Sequence, residues 1–166
     1  ILGIALIILY MIIYYRVPGL VAGFSLIIYV ILVLLVFVAI GATLTLPGIA
    51  GFILSIGMAV DANVLIFERL KEELENGKTL RAAIDSGFHR AITTILDSNI
   101  TTIIAAVVLL YLGTGPVRGF AVTLIIGILV SFLTAVFITR ILLVNLVNAK
   151  IFTNKKFFCC IRGEKQ

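Results

Sequence analysis

The chain has no tryptophan, a single histidine and only two cysteines among its 166 residues, and charged residues make up just 13% of it. A lone histidine (His89) and two thiols side by side (Cys159 and Cys160) do not assemble a metal site. Adjacent cysteines are also poorly placed for a disulfide staple, which excludes a secreted disulfide scaffold and leaves reduced thiols as the plain reading. There is no phosphate-cradling glycine loop and no nucleophile–base pair, so enzymatic catalysis has nothing to rest on and no cofactor or metal is expected. The scarcity of charge, in a chain that is 62% hydrophobic, is incompatible with a water-soluble domain or a disordered regulator. A chain of this size cannot hide that much apolar surface in one core, so lipid must be the solvent for much of it.

The few charges present are informative by position. Residues 1–15, 17–60, 98–117 and 119–139 carry none. At about 20 residues per span, and with every backbone group in lipid satisfied internally, these runs predict an all-α membrane bundle of five helices. The expected spans are about 1–15, 19–42, 48–67, 97–113 and 117–144, together a domain of residues 1–145. Turns at 43–48 and 113–118 separate them, and residues 146–166 form a basic tail. The chain opens on Ile1-Leu2-Gly3, already apolar and without a methionine, as expected of a piece that begins partway into a longer protein.

The net charge of +5 does not indicate nucleic acid, because the cations lie between hydrophobic blocks rather than along one face. It fits membrane topology instead. If the first helix runs outside to inside, every Lys and Arg except Arg118 falls on the inner side or near it, which predicts inner loops and a cytoplasmic C-terminus. Arg118 then reads as an outer interfacial anchor. Residues 68–96 form the one long polar connection. Within it, Arg69/Glu73 and Lys71/Glu75 have i,i+4 spacing on an extension of the third helix, and Asn76-Gly77 is a plausible stop. Thr79 is placed to cap an amphipathic helix with the stripe Leu80, Ile84, Phe88, Ile92 and Ile95, suited to lying on the inner membrane surface. His89, unaccompanied there, reads as a solvated surface residue.

Asp61 is the charge with least reason to be where it is. It lies about 13 residues into the third expected span, roughly 18–20 Å along the axis. A carboxylate at such a depth costs about 2.5–3.5 kcal/mol on insertion scales, and intramembrane acids usually face protein or water and serve an ion or substrate path. A carboxyl able to alternate between charged and neutral forms there is a candidate proton carrier; snorkelling to the interface or static pairing is the other reading. Gly51, Ser55, Ala59 and Asn63 recur every four residues, a small-residue stripe for close helix packing, and Gly57 leaves room one turn from Asp61. A second polar group opens the fourth span: Asp97, Ser98, Asn99, Thr101 and Thr102. Asp97 is placed to cap that helix, while Asn99 and the threonines are positioned to extend a polar path beside Asp61.

The run Gly57-Met58-Ala59-Val60-Asp61-Ala62-Asn63-Val64-Leu65-Ile66-Phe67-Glu68-Arg69 resembles the SecD/SecF family of protein-export membrane subunits. So do Leu44-Thr45-Leu46-Pro47-Gly48-Ile49-Ala50-Gly51, Thr94-Ile95-Leu96-Asp97-Ser98-Asn99-Ile100-Thr101-Thr102 and Gly113-Thr114-Gly115-Pro116-Val117-Arg118-Gly119-Phe120-Ala121. The likeness runs in order over residues 1–145, and Ala62-Asn63 favours the SecD branch over SecF. The resemblance implies a half-transporter of the resistance-nodulation-division superfamily, in which this chain supplies the second to sixth of six helices. It implies a plasma-membrane protein that uses the proton-motive force to help the Sec translocon channel move preprotein outward. Asp61 would be the embedded proton relay, with charge partners on a SecF-type subunit; Asn63, Gly57, Asp97, Asn99, Thr101 and Arg118, read from the residues themselves, are the expected supporting polar or packing positions. An exporter of lipid or small molecules, or a structural adaptor of the channel, are the competing readings; nucleic acid is not an expected partner.

Overall fold

The structure, a computed structural model, describes residues 2–41 and 45–148, so Cys159, Cys160 and most of the expected basic tail lie outside the described residues. The elements are α1 (Leu2–Tyr15), α2 (Val17–Ile40), α3 (Leu46–Glu75), α4 (Leu80–Leu112), α5 (Gly115–Leu133), a π-helical turn (Thr134–Thr139) and α6 (Arg140–Asn148). The π turn joins α5 and α6 into one rod, so the expected five-helix bundle is the observed architecture. Four of the rods are long and apolar enough to cross a membrane, and α1 is a shorter apolar helix. All three prolines stand in the first turn of a helix (α2, α3 and α5), where the missing N–H has no partner to lose.

The expected polar connection is almost entirely helical. Helix α3 continues eight residues past Phe67 and stops at Asn76, followed by Gly77 at φ +84°, a left-handed conformation that glycine adopts without a Cβ penalty. Thr79 then caps α4, accepting from the Ala82 N–H at 3.4 Å. From there α4 runs unbroken to Leu112. The expected amphipathic helix is present as the first turns of α4 rather than as a separate element. Its stripe faces α3: Leu80, Ile84, Phe88 and Ile95 are buried with Leu70 and Leu74, and a Cβ on Gly87 would stand 3.0 Å from the Leu70 backbone. The apolar face is satisfied by a neighbouring helix, and nothing between 80 and 112 breaks the helical ladder.

Helix α3 is the centre of the bundle. Gly51, Ser55, Ala59 and Asn63, the expected small-residue stripe, are all buried. At Ser55 the backbones of α3 and α5 come so close that a side chain on Gly127 would collide with the serine Cβ, the close approach that small residues permit between membrane helices. Tyr29 of α2 reaches the same point and donates to Ser55 Oγ at 2.7 Å. The seam is polar at this point, and Ser55 in turn donates to the Phe52 carbonyl at 2.8 Å, as a low-dielectric interior demands.

Candidate functional site

Asp61 projects from α3 into a cleft of about 200 Å³ between α3 and α4, lined by Met58, Asp61, Ala62 and Leu65 on one wall and Ile95, Ser98, Asn99 and Thr102 on the other. The carboxyl is exposed to this cleft, and none of the ion pairs among the described residues involves it. On the facing wall Ser98 donates to the Ile95 carbonyl at 3.0 Å and Thr102 to the Ser98 carbonyl at 3.0 Å. Each hydroxyl spends its one proton on its own helix and leaves lone pairs for the cleft. Asn99 Nδ2 is buried without a partner, so it is the free donor of the site. A carboxyl, an amide donor and two hydroxyl acceptors thus line one space with room for several water molecules. That set can hold a hydrated proton path and solvate either form of Asp61.

Of the residues singled out from the sequence, the structure brings Asp61, Ser98, Asn99 and Thr102 together. Thr101 is exposed and donates to the Asp97 carbonyl at 3.0 Å, away from the cleft. Asp97 stands in the middle of α4 rather than at its start, so it caps nothing; the capping residue is Thr79. Gly57 is exposed, with open space where a Cβ would lie. Arg118 is exposed in the first turn of α5, a span away from Asp61 in sequence and packing. Asn63 is 4% exposed and faces the other side of α3 from Asp61, since two residues advance about 200° around a helix. It receives a hydrogen bond from Thr139 at 2.9 Å, and Thr139 in turn lies 2.9 Å from Ser25. Single hydroxyls inside long apolar runs carry little signal in sequence, and Ser25 and Thr139 escape notice there.

A second charged group holds the polar end of the α3–α4 hairpin, beyond the apolar part of α3. Glu73 is 2% exposed and pairs with Lys78 at 2.5 Å and Arg90 at 2.9 Å. The Lys78 hydrogen bond, helped by the Arg90 charge and opposed by burial, holds the Glu73 carboxyl below the usual carboxylate range. The i,i+4 pairings expected on this helix are replaced by Arg69–Glu72 at 2.7 Å and Lys71–Glu68 at 4.0 Å. Glu73 turns inward where Lys78 of the α3–α4 turn and Arg90 of α4 present two cations.

The result is a polytopic α-helical bundle of membrane-spanning character with an acidic residue opening onto a polar interhelical cleft. Residues 1–149 match the family model for the C-terminal region of the protein export membrane proteins SecD and SecF. The chain is 60% identical over 157 residues to the protein translocase subunit SecD of Acidaminococcus fermentans, covering 95% of this chain and 38% of that protein. Identity to the protein translocase subunit SecDF of Bacillus subtilis is 54% over 156 residues, covering 94% of this chain and 21% of that protein. The crystal structure of SecDF from Thermus thermophilus, described as a translocon-associated membrane protein, superimposes with a TM-score of 0.87 at 48% identity, over 89% of this chain and 21% of that one. The chain belongs to the SecD/SecF family, and it spans less than two-fifths of the length of these relatives.

Proposed function

We propose that the chain is the membrane bundle of a SecD-type subunit that couples the proton-motive force to preprotein translocation, with Asp61 as the embedded proton relay. The observation that carries this reading is the placement of Asp61 on a polar cleft with no cation lining it among the described residues. A carboxylate in that position is costly unless water or a partner's charge stabilises it, and protonation removes the cost. Loading and unloading a proton therefore changes which packing of α3 against α4 is favoured. In this reading the cleft is completed by a SecF-type subunit, and the packing change is delivered to a region of the longer protein that engages preprotein beside the Sec channel. The membrane is the bacterial or archaeal plasma membrane, with the C-terminus cytoplasmic, as the distribution of basic residues favours.

The test is Asp61→Asn in vesicles carrying the complete complex. Gradient-driven completion of translocation is expected to fall at least about tenfold, in line with the loss of a positioned proton-transfer group. Unchanged gradient-driven export would remove Asp61 from the mechanism and favour a structural adaptor of the channel.

A further inference from the structure

Three polar residues from three rods meet in a buried seam on the side of α3 opposite the cleft: Ser25 (1% exposed), Asn63 (4%) and Thr139 (0%). Asn63 Nδ2 donates to the Ala59 carbonyl of its own helix at 3.2 Å, which turns Oδ1 toward the last rod. Thr139 donates to that oxygen at 2.9 Å. A hydroxyl has one proton, so toward Ser25, also 2.9 Å away, Thr139 must accept. The result is a directed chain from Ser25 through Thr139 and Asn63 to Ala59. Besides Ser25 Oγ, the Thr139 hydroxyl has an alternative acceptor in the Thr134 carbonyl at 3.4 Å, within its own π turn.

The setting of this chain is unusual. Thr139 ends the π turn, a wider helical geometry that recurs at functional sites as a local bulge. Within the turn the Thr134 hydroxyl also donates to a backbone carbonyl, that of Val130 at 2.5 Å, so side chains compete with the backbone ladder there. The next residue, Arg140, pairs with Asp85 of α4 at 2.5 Å. The two walls of the Asp61 cleft are therefore tied to consecutive residues of one rod: α3 through Asn63 to Thr139, and α4 through Asp85 to Arg140. A change in the width of the cleft would act on these ties, with the π turn directly beside them.

We propose that Thr139 is a positioning residue that ties the Asp61 helix to the π turn, so that the charge state of Asp61 is transmitted to residues 134–139. When α3 moves, the Thr139 hydroxyl exchanges Asn63 for the Thr134 carbonyl, and the turn tightens or relaxes. The inference rests on the reading that Asp61 changes charge.

The experiment is hydrogen exchange of residues 134–139 in the complete complex in lipid, comparing the parent with Asp61→Asn, Thr139→Val, Thr139→Ser and the Asp61→Asn/Thr139→Val pair. Asp61→Asn is expected to change exchange at the turn by about threefold or more, the scale of a modest change in local opening. Thr139→Val, which keeps the shape and removes the hydroxyl, is expected to abolish that response, and Thr139→Ser to keep it. A response that is absent in the parent, or undiminished with Thr139→Val, overturns the proposal. If Thr139→Val does not assemble, Asn63→Ala takes its place: removing the acceptor of the Thr139 hydroxyl is expected to abolish the response likewise, and an undiminished response overturns the proposal. Gradient-driven export, measured alongside, separates the two ideas. Intact export in Asp61→Asn with a shifted turn refutes the relay and leaves the tie standing, whereas lost export with an unshifted turn refutes the tie alone.

Discussion

Tyr29 of α2 donates a 2.7 Å hydrogen bond to Ser55 of α3 at the point where Gly127 of α5 leaves no space for a side chain, so one serine fixes the approach of three helices. Tyr29→Phe leaves the Ser55 bond to the Phe52 carbonyl in place and is expected to cost about 1 kcal/mol, the net worth of one buried hydrogen bond. Gly127→Ala forces the helices apart and is expected to cost about 1–3 kcal/mol, with Ser55→Gly recovering part of it. Thermal unfolding in detergent measures all three, and a neutral Gly127→Ala would contradict the close crossing.

The cleft and the sequence pattern disagree about the threonines, which allows a direct comparison. Asn99→Leu removes the free amide donor facing Asp61 and is expected to reduce gradient-driven translocation about tenfold. It should add nothing to Asp61→Asn if both act on one path. Thr101→Val, at an exposed position bonded only to its own helix, is expected to export like the parent. Equal defects at Asn99 and Thr101 would mean that the polar path is not the α3–α4 cleft.

Capping distinguishes a continuous α4 from two shorter helices. Thr79→Ala is expected to cost about 1 kcal/mol, as for other N-cap removals. Asp97→Ala, exposed in mid-helix, is expected to change thermal stability by less than about 0.5 kcal/mol. The reverse order would place a helix start at Asp97.

The Glu73 group predicts an acid limb. A carboxyl held below its ordinary value of 4.5 contributes stability that is complete above that value. The contribution is lost as pH falls through the lower folded-state value, because the unfolded chain binds the proton more readily. Glu73→Gln is expected to remove this limb from the pH dependence of unfolding. Replacing both Lys78 and Arg90 by Met is expected to lower the melting temperature more than Glu73→Gln does, since it leaves a buried carboxylate unpaired whereas the two cations are already substantially exposed.

Much of the bundle was legible because its causes are local. A charge-free run of about 20 residues is helical in lipid whatever surrounds it, and Thr79 and Gly77 mark ends by their own chemistry. Asp61 stood out for the same reason, as a charge with an unfavourable transfer energy. The stripe from Leu80 to Ile95 shows the boundary of that approach: its amphipathicity was plain, yet an apolar face does not say whether lipid or a helix covers it. Here α3, extended to Glu75, covers it, and the inner helix merges with the fourth span.

By itself the sequence determined that the chain is an all-helical membrane bundle with one embedded carboxyl, because hydrophobic length and the cost of a charge in lipid are properties of single segments. Only the tertiary structure decided which polar groups share a space: Asp61 with Ser98, Asn99 and Thr102 on one side of α3, and Asn63 with Ser25 and Thr139 on the other. The same packing took Thr101 and Asp97 out of the site and turned Glu73 inward. Residues two apart on a helix point to different neighbours, and which neighbours those are is set by helix crossings that require all five rods at once.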